Sequence, residues 1–162
     1  MADRRPGARA TPDRPRGSIA AVFVLIVGAG RVGSTVARRM LAAGHDVSVL
    51  DDDPLSHERL DAGQATSWED AGGQFTVGTA IEVEALQEAG IGQADVFIAA
   101  THGDNTNLLI AQIAQRGFEV PNVIVRVMDP GRAAWYAEQG LRTVCPTQKA
   151  IEMFDEAIKE IV

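Results

Sequence analysis

Cysteine, long apolar runs and clustered basic residues are the features that this sequence has least of. Its single cysteine, Cys145, excludes an intrachain disulfide and a cysteine-rich metal site, and is typical of a cytoplasmic protein. The apolar run at residues 19–27 is too short to span a bilayer, which needs about 20 residues. The histidines His45, His57 and His102 lie in different segments without metal-ligand spacing, so we interpret them as ordinary surface or loop residues.

The charge of the chain is −7 and is unevenly distributed. Residues 1–18 contain five arginines against two aspartates, so the remainder of the chain is more acidic than the whole. An acidic body argues against a nucleic-acid-binding surface, because phosphate contacts need clustered lysine and arginine. We therefore expect no nucleic-acid partner.

The first eighteen residues are rich in Arg, Pro, Gly and Ala and cannot build a core. Arg4 and Arg5, ahead of the apolar run at residues 19–27, imitate an export signal with a paired arginine. Cleavage near that run would destroy the glycine-containing unit that follows it. We therefore favour a disordered basic tail over residues 1–18.

A glycine-rich turn between an apolar strand and a helix is the most informative motif, and it reads GAGRVG at residues 28–33. Gly28 permits a tight turn, Gly30 leaves the backbone open to a pyrophosphate, and Gly33 lets the helix lie close to the sheet. The phosphates would then meet free N–H groups at the helix N-terminus. Asp51, eighteen residues beyond Gly33, ends the second strand, where a carboxylate can accept both hydroxyls of an adenosine ribose. Together these features predict a dinucleotide-binding unit.

Strand and helix patterns alternate along the rest of the chain. Short apolar runs such as DVFIAA indicate buried parallel strands. We predict an α/β fold of the Rossmann type, a doubly wound parallel six-stranded sheet, over residues 19–146. The predicted strands are residues 19–27, a second strand ending at Leu50, and residues 74–77, 95–100, 122–127 and 142–145, the last of which contains Cys145. The predicted later helices are residues 81–88, a helix capped by Asn105 or Thr106 and ending at Arg116, a helix after Asp129-Pro130, and residues 147–162.

Several of these helices carry apolar residues whose partners can be anticipated. The last helix has one apolar stripe, which either folds back on its own sheet or docks on a second copy: Ile151, Phe154, Ile158 and Ile161. The helix ending at Arg116 is apolar on more than one face, which suggests the sheet on one side and another subunit on the other. Val83 and Leu86 are expected to face the sheet. Trp135 and Tyr136 are expected to pack rather than to stack on bases.

Blocks spread over most of the chain resemble a known family. In order they are GAGRVG, Asp51, VGTA, EALQEAGIGQADVFIAATHGDNTNLLIAQIA, VIVRVMDP and GLRTVCP. They resemble the nucleotide-binding half of the regulators of potassium conductance, the TrkA-type subunits of bacterial potassium uptake systems. The resemblance implies a cytoplasmic, non-catalytic sensor of ATP, ADP or NAD(H) that assembles through its nucleotide domains and docks on a membrane potassium transporter or channel. The bound nucleotide would change the subunit angles and so bias the pore.

The resemblance also implies a set of site residues. Arg31 would reach a terminal phosphate, and Gly78 and Thr79 would lie beside the adenine. Arg126 contacts either a phosphate or a carboxylate. The full set of implied cofactor-binding residues is Gly28, Gly30, Arg31, Val32, Gly33, Asp51, Asp52, Gly78, Thr79, Thr101, Asn105 and Arg126. Within the family's DN…N block, Asp104, Asn105 and Asn107 either touch the ligand or shape the loop and cap the helix.

Three departures from the family pattern change the expectations. Thr79 stands where many members have Asp, so the polar contact near the adenine differs. Thr147 stands where some channel-gating relatives have a Glu that binds a divalent cation, and threonine is a poor ligand by comparison, so we predict no protein-ligated metal. Many members continue into a second domain beyond a helix that crosses to the neighbouring subunit. We therefore expect residues 147–162 to form a C-terminal crossover helix at the interface of a homodimer, a higher ring or a pair with a related subunit.

Two other functions compete with that of a sensor. A small NAD-dependent oxidoreductase needs proton-transfer groups and a substrate domain, whereas 162 residues make about one domain and Tyr136, the only tyrosine, has no lysine at useful spacing. A redox sensor acting through DNA needs a helix-turn-helix segment and a basic surface. The acidic body of this chain and its lack of a helix-turn-helix pattern argue against that function. Asp51, Asp52 and Asp53 crowd the ribose with acid and would repel a 2′-phosphate, which disfavours NADP.

Overall fold

The computed structural model describes residues 20–162, so the predicted basic tail lies outside the described residues. Six parallel strands form one sheet in the order β3-β2-β1-β4-β5-β6. They are β1 Phe23–Val27, β2 Asp46–Asp51, β3 Gln74–Val77, β4 Val96–Ala99, β5 Asn122–Arg126 and β6 Arg142–Val144. The order reverses between β1 and β4, which is the topological switch point of a Rossmann fold, so the predicted fold is confirmed.

Helices cover both faces of this sheet. They are α1 Arg31–Ala42, α2 Glu58–Asp61, α3 Val83–Glu88, α4 Asp104–Gln112, α5 Pro130–Glu138 and α6 Pro146–Lys159. A 3₁₀ turn, Pro54–His57, leads directly into α2. Between residues 20 and 162, no helix combines the length and the apolar character needed to cross a bilayer.

The sheet separates two apolar clusters because successive strand residues point to opposite faces. Val24 and Ile26 of β1 contribute to the cluster under α1, together with the buried Trp68 from the loop before β3. Leu25 and Val27 of the same strand contribute to the larger cluster under α3, α4 and α5. Both faces are therefore covered, as the apolar strand sequences require.

The start and end of α4 differ from the prediction. The helix begins at Asp104 with Gly103 as its N-cap, so the predicted caps Asn105 and Thr106 are wrong. The helix starts early because the Asp104 carboxylate accepts the backbone N–H groups of Met128 and Asp129, at 2.8 and 3.1 Å, and so ties this turn to the loop after β5. Its regular part ends at Gln112, and a π-helical turn, Ile113–Gly117, completes it.

Two smaller expectations are also wrong. α3 begins at Val83 rather than at residue 81, so Val83 lies in the first turn and is exposed, whereas Leu86 is buried. Cys145 lies beyond the end of β6 and is the N-cap of α6, where its Sγ accepts the backbone N–H of Gln148 at 3.4 Å.

The aromatic pair of α5 is divided between core and surface. The two rings meet edge to face, with centroids 4.8 Å apart. Tyr136 packs against the larger apolar cluster, as expected, but Trp135 is 54% exposed. The prediction that both aromatics pack is therefore confirmed for Tyr136, whereas Trp135 contacts the Tyr136 ring and leaves about half of its side chain in solvent.

The apolar stripe of α6 remains exposed. None of the residues of α6 is buried, and Phe154 is 71% exposed. Of the two alternatives for this helix, folding back on its own sheet is therefore wrong. Leu109 of α4 is exposed too, while its neighbours Leu108 and Ile110 are buried, which agrees with the expectation that α4 has two apolar sides.

Candidate nucleotide-binding site

A cavity of about 730 Å³ lies at the carboxyl end of the sheet, where Rossmann folds bind their ligands. Its volume is within the range of sites for nucleotide-sized molecules, about 300–1,000 Å³. The loops after β1, β2, β3 and β4 and the last residue of β5 supply its polar lining: Gly28, Gly30, Arg31, Asp51, Asp52, Asp53, Ser56, Arg59, Gly78, Thr79, Thr101, His102, Gly103, Thr106 and Arg126.

The three motif glycines have three different reasons to be glycine. Gly28 has a φ of +102°, and a Cβ there would lie 2.8 Å from the backbone of Ala100 and Thr101. A Cβ on Gly30 would point into open space, so this position is left free for a ligand. A Cβ on Gly33 would collide with the carbonyl of Gly28, so this glycine lets α1 pack against the turn.

The N-terminus of α1 faces the cavity and is available to an anion. Its N-cap is Gly30, and among residues 20–162 no side chain caps the helix and no acidic residue occupies its first turn. Arg31 and Val32, the first two residues of α1, line the cavity. Free N–H groups, the positive end of the helix dipole and a guanidinium therefore converge where a pyrophosphate would bind.

Asp51 connects the end of β2 to the glycine turn. Its Oδ2 accepts the backbone N–H of Ala29 at 2.6 Å, and its Oδ1 accepts that of Asp53 at 2.9 Å. Each carboxylate oxygen keeps further lone pairs for a ligand hydroxyl. The two backbone bonds therefore fix the orientation of the carboxylate before any ribose binds.

A buried asparagine fixes the opposite side of the cavity. Asn107, with 0% exposure, accepts the N–H and the hydroxyl of Thr101 through its Oδ1, at 2.9 and 2.6 Å. Its Nδ2 donates to the carbonyls of Thr101 and Arg126, at 2.9 and 3.0 Å. All of the hydrogen-bonding capacity of this amide is used within the protein, so Asn107 and likewise Asp104 shape the loops of the site.

Two buried polar atoms in the lining have no partner in the described chain. They are the Oγ of Ser56, whose residue is 1% exposed, and the Nε of Arg126. Between residues 20 and 162, no carboxylate forms a salt bridge with Arg126. An unpaired buried polar atom costs about 1–3 kcal/mol, so both atoms are poised for a ligand that would satisfy them.

Ten of the twelve residues implied by the sequence line this one cavity. Gly33 does not, because it lies under the turn, where it packs α1 against Gly28. Asn105 does not either: its side chain is exposed and accepts a hydrogen bond from the Arg132 guanidinium at 2.8 Å. The structure gives both residues a role in loop structure, and their contact with a ligand stays a prediction. The ten that line the cavity are Gly28, Gly30, Arg31, Val32, Asp51, Asp52, Gly78, Thr79, Thr101 and Arg126.

The sequence did not predict the side of the cavity that is formed by the segment after Asp51. Ser56 and Arg59 line the cavity from the 3₁₀ turn and α2, and Ile81 lines it from the loop after β3. No periodic pattern marks this segment, and only its position directly after Asp51, the acid predicted to bind a ribose, points to a role. His102, interpreted from the sequence as an ordinary surface or loop residue, lies in an exposed loop that also lines the cavity.

His57 lies between two carboxylates near this side of the cavity. Its Nε2 is 2.6 Å from the Oε1 of Glu69, and its Nδ1 is 3.3 Å from the Oδ2 of Asp61. These three side chains could in principle hold a cation. The two ring nitrogens, however, contact different carboxylates. His57 thereby connects Asp61 of α2 to Glu69 in the loop before β3.

Comparison with known sequences identifies the fold family. The model of the TrkA-N domain family matches residues 24–146. A Trk system potassium uptake protein TrkA from Streptomyces coelicolor is 40% identical over 123 residues, which cover 76% of this chain and 52% of that protein. The chain therefore spans about half the length of this curated relative.

Solved structures share the fold at low sequence identity. The TrkA-N domain of the inner membrane protein ybaL from Escherichia coli has a TM-score of 0.70 and 20% identity, over 85% of this chain and 97% of that one. GsuK bound to ADP has a TM-score of 0.70 and 16% identity, over 87% of this chain and 35% of that one. The GsuK channel bound to NAD has a TM-score of 0.59 and 19% identity, over 85% and 23%. With the family match extending over most of the sheet and its cavity, this chain belongs to the TrkA-N domain family.

Proposed function

We propose that this chain is a nucleotide-sensing regulatory subunit of a potassium transporter or channel. It binds ATP, ADP or NAD(H) without converting them and acts on the cytoplasmic side of the membrane through its membrane partner. The observation that carries the proposal is the single cavity that joins the uncapped N-terminus of α1 to the Asp51 carboxylate. The name of the Streptomyces relative supports potassium uptake as the process that is regulated.

The phosphate end of an adenosine phosphate would meet hydrogen-bond donors in this cavity, and its ribose would meet an acceptor carboxylate. Phosphates would accept hydrogen bonds from the N–H groups at the start of α1 and from Arg31. Ribose hydroxyls would donate to Asp51, whose orientation the N–H groups of Ala29 and Asp53 already fix. Pre-orientation lowers the entropy cost of binding, which suits a sensor that must respond to changes in ligand concentration.

The exposed face of α6 provides a means of assembly. A helix with a large uncovered apolar stripe is stable in water when a partner covers that stripe, and a second copy of the chain supplies an identical one. We propose a homodimer, a higher ring or a pair with a related subunit that is built on α6. Nucleotide binding in each cavity would then change the angle between subunits and so act on the membrane partner.

A nucleotide titration tests the ligand. We expect ATP, ADP, NAD or NADH to raise the melting temperature of the purified chain, because a ligand that binds only the folded state stabilises it. Asp51→Ala should weaken every adenine nucleotide by about 100-fold or more, since two charge-assisted hydrogen bonds are lost. Asp46→Ala, at the exposed opposite end of the same strand, is the matched control and should bind as the wild type does.

Several outcomes would contradict the proposal. Equal calorimetric affinities of Asp51→Ala and wild type would remove the ribose role. Consumption of NADH by the purified chain with a candidate substrate would favour an oxidoreductase. For the regulatory role, the wild type and not Asp51→Ala should restore potassium uptake in cells that lack their own TrkA-type subunit.

A further inference from the structure

The register of the sheet aligns four residues in a row across the carboxyl end of the strands. Leu50, Val27, Ala99 and Val125 are register partners on β2, β1, β4 and β5. The next residue of each strand therefore lies in one row, and all four line the cavity: Asp51, Gly28, Ala100 and Arg126. Asp51 and Arg126 are at its two ends, three strand spacings apart, or about 14 Å.

Arg126 is held at its end of the row by the protein backbone. Its own carbonyl accepts the Nδ2 of Asn107 at 3.0 Å, and its position in β5 is fixed by pairing with β6 at Val144. Its Nε is buried without a hydrogen-bond partner in the described part of the chain. A cation with a buried, unused donor is thus fixed opposite the ribose-binding acid.

Thr101, the neighbouring residue that Asn107 also holds, is already engaged. The hydroxyl and the N–H of Thr101 both donate to the Oδ1 of Asn107. Arg31 lies at the start of α1, close to the glycine turn in the middle of the row, where phosphates would bind. Among residues 20–162, the cavity lining contains two buried atoms without a partner, Ser56 Oγ and Arg126 Nε, and Ser56 lies on the β2 side. Arg126 is therefore the one placed for the part of a ligand that lies beyond the phosphates.

We propose, on the basis of the nucleotide-binding function argued above, that Arg126 determines specificity for adenine dinucleotides over mononucleotides. With its adenosine ribose at Asp51 and its pyrophosphate over Gly28, a dinucleotide extends along the row toward β5. The Nε–H of Arg126 donates to an oxygen of the second nucleoside, whose ribose hydroxyls and carboxamide are acceptors. A mononucleotide ends before this point and leaves the donor unpaired.

Calorimetric titration of Arg126→Gln with NAD, ADP-ribose, ATP, ADP and AMP tests this proposal. We expect the affinity for NAD to fall by about 10- to 100-fold, because one hydrogen bond from a charged donor is lost. Affinities for ATP, ADP and AMP should stay within about twofold, and retained AMP binding also shows that the variant is folded. ADP-ribose should lose as much as NAD if the bond is to the second ribose, and less if it is to the carboxamide. Either result supports the proposal.

The matched control is Arg132→Gln, which removes an arginine that bonds to Asn105 outside the cavity and should leave all five affinities unchanged. Two results would overturn the role of Arg126: NAD binding unaffected by Arg126→Gln, or an equal loss for all five ligands. A loss confined to ATP would overturn it too, and would make Arg126 a ligand of the terminal phosphate. If the wild type binds no nucleotide at all, the proposed function itself fails. If the wild type binds nucleotides and Arg126→Gln binds them equally well, the role of Arg126 fails and the proposed function stands.

Discussion

Two amphipathic helices of this chain use their apolar faces in opposite ways. α1 follows the glycine turn and buries Gly33, Ser34 and Ala37 against the sheet. α6 buries none of its residues, and its Phe154 is largely in solvent. The buried residues of α1 are small, so its backbone approaches the sheet closely and completes the core of one chain. The large residues of α6 are suited to a surface that one chain does not provide.

This contrast distinguishes a body whose apolar core is closed from a helix whose apolar stripe is uncovered. The body is the sheet with α1 to α5, whose core surrounds the strands on both faces. If the distinction is correct, substitutions in the body should reduce the free energy of unfolding of the single chain. Substitutions on α6 should leave that quantity nearly unchanged and act on assembly instead.

The largest effect is expected for Gly33→Val. Even the Cβ of a larger residue would collide with the Gly28 carbonyl, so α1 would have to move away from the turn. We expect a loss of more than about 3 kcal/mol in the free energy of unfolding, measured by urea denaturation, which is a large fraction of the roughly 5–15 kcal/mol of a typical domain. Gly63→Ala, in an open loop with positive φ, is the control and should cost only about 1–2 kcal/mol, from the strained backbone alone. A Gly33→Val chain as stable as the wild type would contradict the close packing of α1.

An intermediate effect is expected for Asn107→Ala. The substitution leaves the N–H and the carbonyl of Thr101 and the carbonyl of Arg126 without their partner. We expect a loss of about 2–3 kcal/mol in the free energy of unfolding, because buried backbone groups lose their hydrogen bonds. Gln112→Ala is the control on the same helix, since its side chain bonds only to a carbonyl in that helix. Unchanged stability would show that water replaces the amide and that the loops of the site do not depend on it.

A small effect on the single chain, but a marked one on assembly, is expected for Phe154→Asp. At concentrations where the chain is a monomer, the free energy of unfolding should change by less than about 0.5 kcal/mol, since the side chain is exposed. Self-association measured by analytical ultracentrifugation should weaken by about 30-fold or more if this residue is central to the interface. Glu156→Ala, on the opposite face of α6, should leave association unchanged. Unaltered association of Phe154→Asp would show that the partner does not cover this stripe.

The smallest effect is expected for Lys149→Ala near the start of α6. The side chain of Lys149 donates a hydrogen bond to Glu152 at 3.1 Å, and this bond lowers the pKa of Glu152 from its ordinary value, with a smaller contribution from Gln148. Because the folded-state pKa is lowered, the contribution of this pair is present above the ordinary pKa and disappears as pH falls through the lowered one. We expect Lys149→Ala to raise the pKa of Glu152 in an NMR titration, without a measurable change in stability at neutral pH. A pKa of Glu152 that does not move would show that the contact is absent in solution.

The parts of the site that could be predicted from the sequence are those encoded by local pattern. Gly28, Gly30 and Asp51 lie at fixed spacing around one strand–turn–helix unit, so their geometry follows from the motif. Ser56 and Arg59 could not be found in this way, because their approach to the cavity depends on the path of a segment without periodicity. Local pattern also could not distinguish Asn105, which lies outside the cavity lining, from its neighbour Asp104, which forms the hydrogen bonds to the loop after β5.

The fold likewise has features that local sequence determines and features that only the packing of distant segments determines. Strands could be located because a buried parallel strand needs an uninterrupted apolar run. The exposure of Trp135 and of the α6 stripe could not be decided from the pattern alone, since an apolar face is encoded alike whether its partner is the same chain or another. Which of the two applies is determined by the path of the whole chain.

Met128 gives the exposed helix a mechanical connection to the cavity. Its N–H donates to Asp104 at the start of α4, and its carbonyl accepts the Sγ–H of Cys145, the N-cap of α6, at 3.6 Å. Met128 is therefore hydrogen-bonded both to the start of α4, next to the candidate site, and to the N-cap residue of α6. With 14 residues, α6 is about 21 Å long, so a 10° rotation at its base sweeps its tip through about 4 Å. A displacement too small to alter the fold would thus be amplified at the exposed apolar stripe of α6.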